Sequence, residues 1–323
     1  MKSPSYRRKA LVAFVIVQII LTIPFILQIN IDDSMDSCTI FTVSEGGTTF
    51  FCNNEDEGLR HGRVWFQPGA DGEYGMVLFG YAIYRNLVIP VGGMNDQGLC
   101  LDMTMVAETD ILLNPEKPDY QGSYFIDMLR VCATVEEAKI WVCSYDLLLL
   151  NWQQAHIADS SGDAVVVGLD DSGGIWMTNK SGDYIITTNF NLAQDDGSHQ
   201  QGGRYETTTS MLSTMGELTL DYCQEILEAV SMTSTMYSYI VDLEHRLLYL
   251  YSRGDFGRVA ILNVTEELAA GDHSYDIERL VSQQTGLPSS LDTPSDTVGL
   301  VAVGCVLACS VLIAFAKQRG RWS

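Results

Sequence analysis

Residues 38–56 read CTIFTVSEGGTTFFCNNED, and this stretch decides the fold. Two short runs of β-branched and aromatic residues, Thr39–Val43 and Thr48–Cys52, flank a turn at Glu45-Gly46-Gly47. The pattern predicts a β-hairpin: glycine enters the positive-φ backbone that a tight reversal needs, while Ile, Val, Thr and Phe suit a pleated, half-buried surface. Cys38 stands at the first residue of the first strand, directly after the segment INIDDSMDS (residues 29–37). If the bond before Cys38 is cleaved, the new α-amine lies within reach of the thiol of the same residue. Such an amine has a pKa of about 7.7–8.0, so it can be neutral and serve as the thiol's base. The thiol then attacks an amide carbonyl, the amine carries the proton to the leaving group, and water releases the acyl group from a thioester. This chemistry needs no histidine, and the five histidines of the chain are scattered.

Outward from the hairpin, strands and helices come in blocks. Strand candidates are 62–67 and 74–82, separated by Gly69-Ala70-Asp71-Gly72; Val88–Pro90; and Leu99–Met105 after the turn-rich segment Gly92–Gly98. Residues 120–143 carry apolar positions at helical spacing, with Thr134 and Glu137 placed as a capping box for a second helix. Strands are expected again at 156–159, 164–169, 174–179 and 184–188, helices at about 204–215 and 219–232, and strands at 237–243, 247–252 and 258–264. Blocks of this kind indicate an α+β layered domain rather than regular βαβ alternation.

The ends of the chain differ from its middle. Residues 10–29 (ALVAFVIVQIILTIPFILQI) and 297–316 (TVGLVAVGCVLACSVLIAFA) are uncharged, and each has about the 20 residues that cross a bilayer as a helix. Lys2, Arg7, Arg8 and Lys9 precede the first run, and Lys317, Arg319 and Arg321 follow the second. By the positive-inside rule both termini are expected in the cytoplasm and everything between the runs outside it. The resulting division is a basic start, anchor or signal segment and propeptide over 1–37, a domain over 38–285, a Pro/Ser/Asp linker over 286–296, a transmembrane helix over 297–316 and a basic tail over 317–323. The chain carries 41 acidic against 19 basic residues, and seven of the basic ones lie in the two tails. So acidic a domain repels nucleic acid and anionic headgroups.

Of eight cysteines, Cys305 and Cys309 fall in the second apolar run. The others are Cys38, Cys52, Cys100, Cys132, Cys143 and Cys223, and outside the cell they leave room for one or two disulfides without specifying the pairing. No CxxC occurs, and no metal or cofactor site is expected. Asn179-Lys180-Ser181 and Asn263-Val264-Thr265 fit the N-glycosylation acceptor pattern.

Five segments, in order, carry a resemblance. Cys38-Thr39 with the hairpin and Phe51-Cys52-Asn53-Asn54-Glu55-Asp56 resembles the opening of the choloylglycine hydrolase and penicillin acyltransferase group of N-terminal nucleophile hydrolases, which reads Cys-Thr, hairpin, Gly-Arg-Asn-x-Asp. Met94-Asn95-Asp96-Gln97-Gly98-Leu99 is similar to that group's Met-Asn-Glu-Lys-Gly-Leu, Asp159-Ser160-Ser161-Gly162 to its Asp-x-x-Gly, Thr187-Thr188-Asn189 to its Leu-Thr-Asn, and Gly203-Arg204-Tyr205 to its Ser-Arg-Phe/Tyr. The resemblance covers about residues 38–265. It implies a four-layer αββα sandwich, flanked here by two membrane-spanning helices, and a hydrolase of linear, non-peptide amides such as N-acyl amines or N-acyl amino acids. It also implies Cys38 as nucleophile after self-cleavage, Asp56 as the contact of the α-amino group, Asn189 as an oxyanion donor, and Arg204 as the cation near the thiol. Two departures stand out. Asn53 replaces the group's arginine, with Arg60 or Arg63 as candidates to compensate. The second asparagine of the group falls at Thr104 or Met105, where only a backbone N–H can serve. Acyl transfer through the same thioester, and an inactive binding or sensing domain of the same fold, are the alternatives. The segments after the catalytic strands are expected to line an apolar acyl pocket with Trp65, Phe66, Met103, Met105 and Leu112.

Overall fold

The glycine turn closes the hairpin. Strands β1 (Thr39–Glu45) and β2 (Thr48–Glu55) pair antiparallel, with Thr39 opposite Asn54 and Glu45 opposite Thr48. Gly46 and Gly47 adopt φ of 61° and 94°, where a side chain would be strained. The computed structural model describes residues 38–283, apart from 59, 85–86, 119, 121 and 196–202. Both apolar runs, the linker and the basic tail lie outside the described residues. Among those described, no helix is long and apolar enough to cross a membrane.

The hairpin belongs to a six-stranded sheet that also holds β10 (Tyr184–Thr187), β11 (Tyr237–Asp242), β12 (Leu247–Ser252) and β13 (Asp255–Asn263), in the order β10-β1-β2-β11-β12-β13. An eight-stranded sheet holds β3 (His61–Gln67), β4 (Met76–Tyr84), β5 (Leu87–Asn95), β6 (Cys100–Met105), β7 (Gln153–Ala158), β8 (Ala164–Leu169), β9 (Ile175–Asn179) and β14 (His273–Asp276). Its order is β14-β3-β4-β5-β6-β7-β8-β9, and every pairing in both sheets is antiparallel.

Strand alternation sorts the side chains into layers. Ile40, Phe51, Tyr239, Val241 and Leu250 of the first sheet meet Val64, Phe66, Val77, Phe79 and Val166 of the second in a core between the sheets. Phe41, Val43, Cys52 and Ile240 face outward, onto helices α3 (Gly203–Ser213) and α4 (Leu220–Ala229) through Leu212, Cys223, Ile226 and Leu227. On the opposite side, Leu78, Leu101, Ile157 and Val165 pack under α1 (Tyr124–Val131) and α2 (Val135–Cys143). Helix, sheet, sheet, helix: the αββα arrangement is present.

Several polar side chains serve this architecture. Asn95 closes the β5–β6 turn by accepting from the N–H groups of Gln97 and Leu99, and donates to the carbonyls of Leu129 and Cys132 at the end of α1. Asp159 makes an Asx turn with Ser161 and accepts from Val135 N at the start of α2. Thr134 caps α2 by accepting from Glu137 N, while the Glu137 carboxylate takes the N–H of Ala133 rather than that of Thr134 itself.

The structure departs from the sequence reading in four places. The chain does not end its secondary structure at 264: α5 (Val264–Ala269), β14 and α6 (Ile277–Gln283) follow, and β14 adds an edge strand to β3. Trp65, Phe66 and Met103 do not line a pocket. Phe66 is fully buried between the sheets, and Trp65 and Met103 lie under the α1–α2 layer, as alternation requires of residues that neighbour each other in a strand. Leu112 is exposed. The six described cysteines are all free thiols. Finally, Asn263 of the second acceptor triplet spends its side chain capping α5, accepting from Thr265 N and Glu266 N.

A buried histidine bridges the two sheets. His156 of β7 lies 2.9 Å from Thr42 Oγ1 of β1 through Nε2 and 2.7 Å from Thr187 Oγ1 of β10 through Nδ1. Burial lowers its pKa from 6.5 to about 3. The ring therefore stays neutral when folded but protonates in the unfolded chain, so its contribution is complete above pH 6.5 and is lost as pH falls toward 3. Denaturant midpoints should decline over that window, and the decline should be shallower in His156→Gln.

Candidate active site

The site forms where β1 begins. The register that sets Thr39 opposite Asn54 brings Cys38 opposite Glu55 on β2, and Glu55 in turn faces Tyr237 on β11. Cys38, Glu55 and Tyr237 thus form one row across the first sheet, on its inner face with Ile40 and Phe51. Cys38 is 4 % exposed. The register and the shared inner face set the buried Glu55 side chain beside the Cys38 thiol.

Arg204, near the start of α3, closes the site from the helical side. Its Nη1 donates to Cys38 O at 2.5 Å and to Thr39 Oγ1, and its Nη2 donates to Asn189 Oδ1 at 3.0 Å. The same guanidinium lies 3.7 Å from Asp56 Oδ2. Asp56 follows β2 directly. Its Oδ1 accepts from Thr235 Oγ1, and its buried Oδ2 accepts no hydrogen bond among the described residues. Burial raises the Asp56 pKa to about 6, against the opposing pull of Thr235 and Arg204. Asn189, just after β10, donates through Nδ2 to Met105 O at 3.1 Å. Cys38, Asp56, Asn189 and Arg204, which lie up to 166 residues apart in sequence, therefore stand together. Met105 is 40 % exposed beside them, while the buried Thr104 hydroxyl makes no hydrogen bond among the described residues.

The electrostatics of the thiol are unfavourable to ionisation. Burial, then the Glu55 carboxyl when it is ionised, push its pKa well above the ordinary value, with Asp102 and Asp56 adding to the effect. Neither candidate to compensate for Asn53 supplies the missing charge there. Arg60 pairs with Glu57 and lies over the Tyr81 ring, 4.5 Å from its centre, and Arg63 sits in β3 opposite Gly80 and Asp276. Asn53 instead joins two buried acids, donating to Asp102 Oδ2 at 2.8 Å and to Glu55 Oε2 at 3.3 Å.

Glu55, Asp102, Thr235, Tyr237 and Tyr239 are the site neighbours that sequence reading did not single out. A signal for Asp102 was present: a carboxylate inside the otherwise uncharged strand CLDMTM is rarely buried without a task. Glu55 shares the alternation of Asn53, which places both on one face. Thr235 carries no such mark.

No protein-family model matches this sequence, and no curated protein matches it. Solved structures do match in shape. The penicillin V acylase from Agrobacterium tumefaciens superposes with a TM-score of 0.57 at 15% identity, over 74% of this chain and 91% of that one. A variant of the conjugated bile acid hydrolase from Clostridium perfringens superposes with a TM-score of 0.58 at 14% identity, over 80% of this chain and 99% of that one. At these identities the likeness establishes a shared fold, the αββα sandwich implied by the five segments.

Arg204 is the part-buried tie of four segments, and its planar fork cannot be copied by an ammonium. Arg204→Lys should lower unfolding free energy by about 1–3 kcal/mol, because the Asn189 and Thr39 oxygens lose a donor. Urea denaturation checks this.

Proposed function

We propose that the chain is a cysteine N-terminal nucleophile hydrolase that cleaves a linear, non-peptide amide after its own processing exposes Cys38. The observation that carries this reading is the meeting of Cys38, at the first residue of a central strand, with Asp56, Asn189 and Arg204. Its support is threefold: that geometry, the order of the five segments, and the fold shared with a penicillin V acylase and a conjugated bile acid hydrolase.

In this reading the α-amine of processed Cys38 takes the thiol's proton as sulfur attacks the substrate carbonyl. A thiol this strongly desolvated is poorly ionised beforehand, so proton removal belongs with bond formation rather than before it. Asp56 Oδ2 is the oxygen left to hold the α-ammonium once the proton has arrived. Asn189 Nδ2 exchanges the Met105 carbonyl for the developing oxyanion, a type of donor worth about 2.7–4 kcal/mol in other enzymes. Arg204 holds the carbonyl of Cys38, fixing the direction of the nucleophile. The amine returns its proton to the leaving nitrogen, and water attacks the thioester with the same amine as base. The domain acts outside the cytoplasm, tethered by the run at 297–316 and, before processing, also by that at 10–29. Its substrates are small amides.

A β-lactone acylates a nucleophilic cysteine stoichiometrically and adds its mass. Wild type should gain one adduct on Cys38, and Cys38→Ala should gain none; equal labelling of the two would sink the assignment. Asp56→Asn should slow acylation by about 10²-fold, the scale of a lost charged contact of roughly 3 kcal/mol.

A further inference from the structure

The cluster behind the thiol contains two carboxyl groups whose surroundings differ. Asp102 accepts three hydrogen bonds: from Met103 N at 2.7 Å, from Asn53 Nδ2 at 2.8 Å and from the Tyr239 hydroxyl. It also has room made for it, since a Cβ on Gly92 would lie 2.6 Å from its Cγ. Glu55 is 2 % exposed and takes from Asn53 only a long bond of 3.3 Å. The three donors favour the ionised form at Asp102, and the poverty of donors favours the neutral form at Glu55.

We propose that Glu55 is held as a neutral carboxylic acid whose O–H donates to the sulfur of Cys38, supporting the negative charge there in place of a cation. The inference rests on Cys38 being the nucleophile. Asn53 is then the spacer that fixes the two acids at one amide nitrogen, with Asp102 carrying the charge. In the attack the thiol's proton goes to the α-amine, the carbon–sulfur bond forms and the carbonyl electron pair moves to oxygen. Glu55 keeps its proton throughout and contributes a hydrogen bond.

The groups around Glu55 agree with this. Cys38 flanks it from β1 and Tyr237 from β11, whose buried hydroxyl makes no hydrogen bond among the described residues. Asp102 faces it from β6 with Cys100 two residues before, Tyr239 bonds Asp102 from β11, and the neutral His156 is the β7 neighbour of Asp102. Glu57 beyond β2 is paired with Arg60. Arg204 reaches the backbone oxygen of Cys38 and Asp56, on the helical side. Burial first, and then Asp102, push the Glu55 carboxyl well above its ordinary pKa, while Asp102 itself rises only to about 6. Below the Glu55 titration the acid is neutral and the support present; above it a second negative charge faces the sulfur, and the support is lost.

Infrared spectroscopy of the full chain reads protonated carboxyls directly. At pH 7 wild type should show a carboxylic acid C=O band that Glu55→Gln lacks, and in Asp102→Asn the midpoint at which this band titrates should move to lower pH. A band absent from wild type, or retained in Glu55→Gln, overturns the proposal. The rate of β-lactone acylation of Cys38 should fall as pH rises through the same midpoint. Glu55→Ala should slow acylation by about 10²-fold, the scale of one lost preorganised donor. Glu55→Gln, which keeps an N–H donor, should lose less than Glu55→Ala and lose that alkaline limb. Equal rates in wild type and Glu55→Ala overturn the role even if the band is found. Wild type that shows the band but never acylates contradicts the nucleophile assignment instead, and removes the support role with it.

Discussion

One guanidinium holds the site together. Arg204 reaches from the start of α3 to the carbonyl of Cys38, the hydroxyl of Thr39, the amide oxygen of Asn189 and the carboxylate of Asp56. These groups come from the start of β1, the end of β2 and the end of β10, and Arg204 itself from the first turn of a helix. Each is polar and at least partly withdrawn from water, so each carries a desolvation cost that a partner must offset. A flat fork with five donors can satisfy several of them at once, which a single ammonium cannot. The position of residue 38 is thus set by the sheet below it and by Arg204 above it.

The second constraint is the scarcity of positive charge inside. Asp56, Glu55 and Asp102 all lie within the structure near the thiol, and burial raises the pKa of each. Among the described residues, Asp56 is the one of the three with a guanidinium nearby. Buried acids without cations resolve their conflict by keeping a proton or by gathering hydrogen-bond donors. Asp102 gathers donors. On the proposed reading Glu55 keeps the proton, and the core-facing neighbour of Cys38 is a neutral acid. This gives Asn53 a task that an arginine would fill differently: it separates the two carboxyls while bonding both, and it brings no charge of its own.

The sequence exposed some of this and hid the rest for physical reasons. The hairpin 38–56 was legible because both its glycine turn and its alternation are local. The capping of α2 by Thr134 was legible for the same reason. The pairing of β2 with β11 was not: it joins residues nearly two hundred positions apart, and nothing local encodes a partner. Trp65 and Phe66 looked alike as apolar strand residues, yet alternation sends them into different layers, and neither into a pocket. Strand β14 has four residues and no apolar period, so only its pairing with β3 reveals it. Among the site residues, Cys38, Asp56, Asn189 and Arg204 were found through the order of motifs. Glu55 and Asp102 required the register and the facing sheet, because their significance lies in each other's company.

The whole account depends on residue 38 acquiring a free α-amine. Intact-mass measurement of purified, folded protein, with N-terminal sequencing of the domain, reads that directly. The account predicts a domain beginning at Cys38 in wild type and a chain still continuous through Ser37 in Cys38→Ala. An unbroken Ser37–Cys38 bond in folded wild-type protein would contradict it.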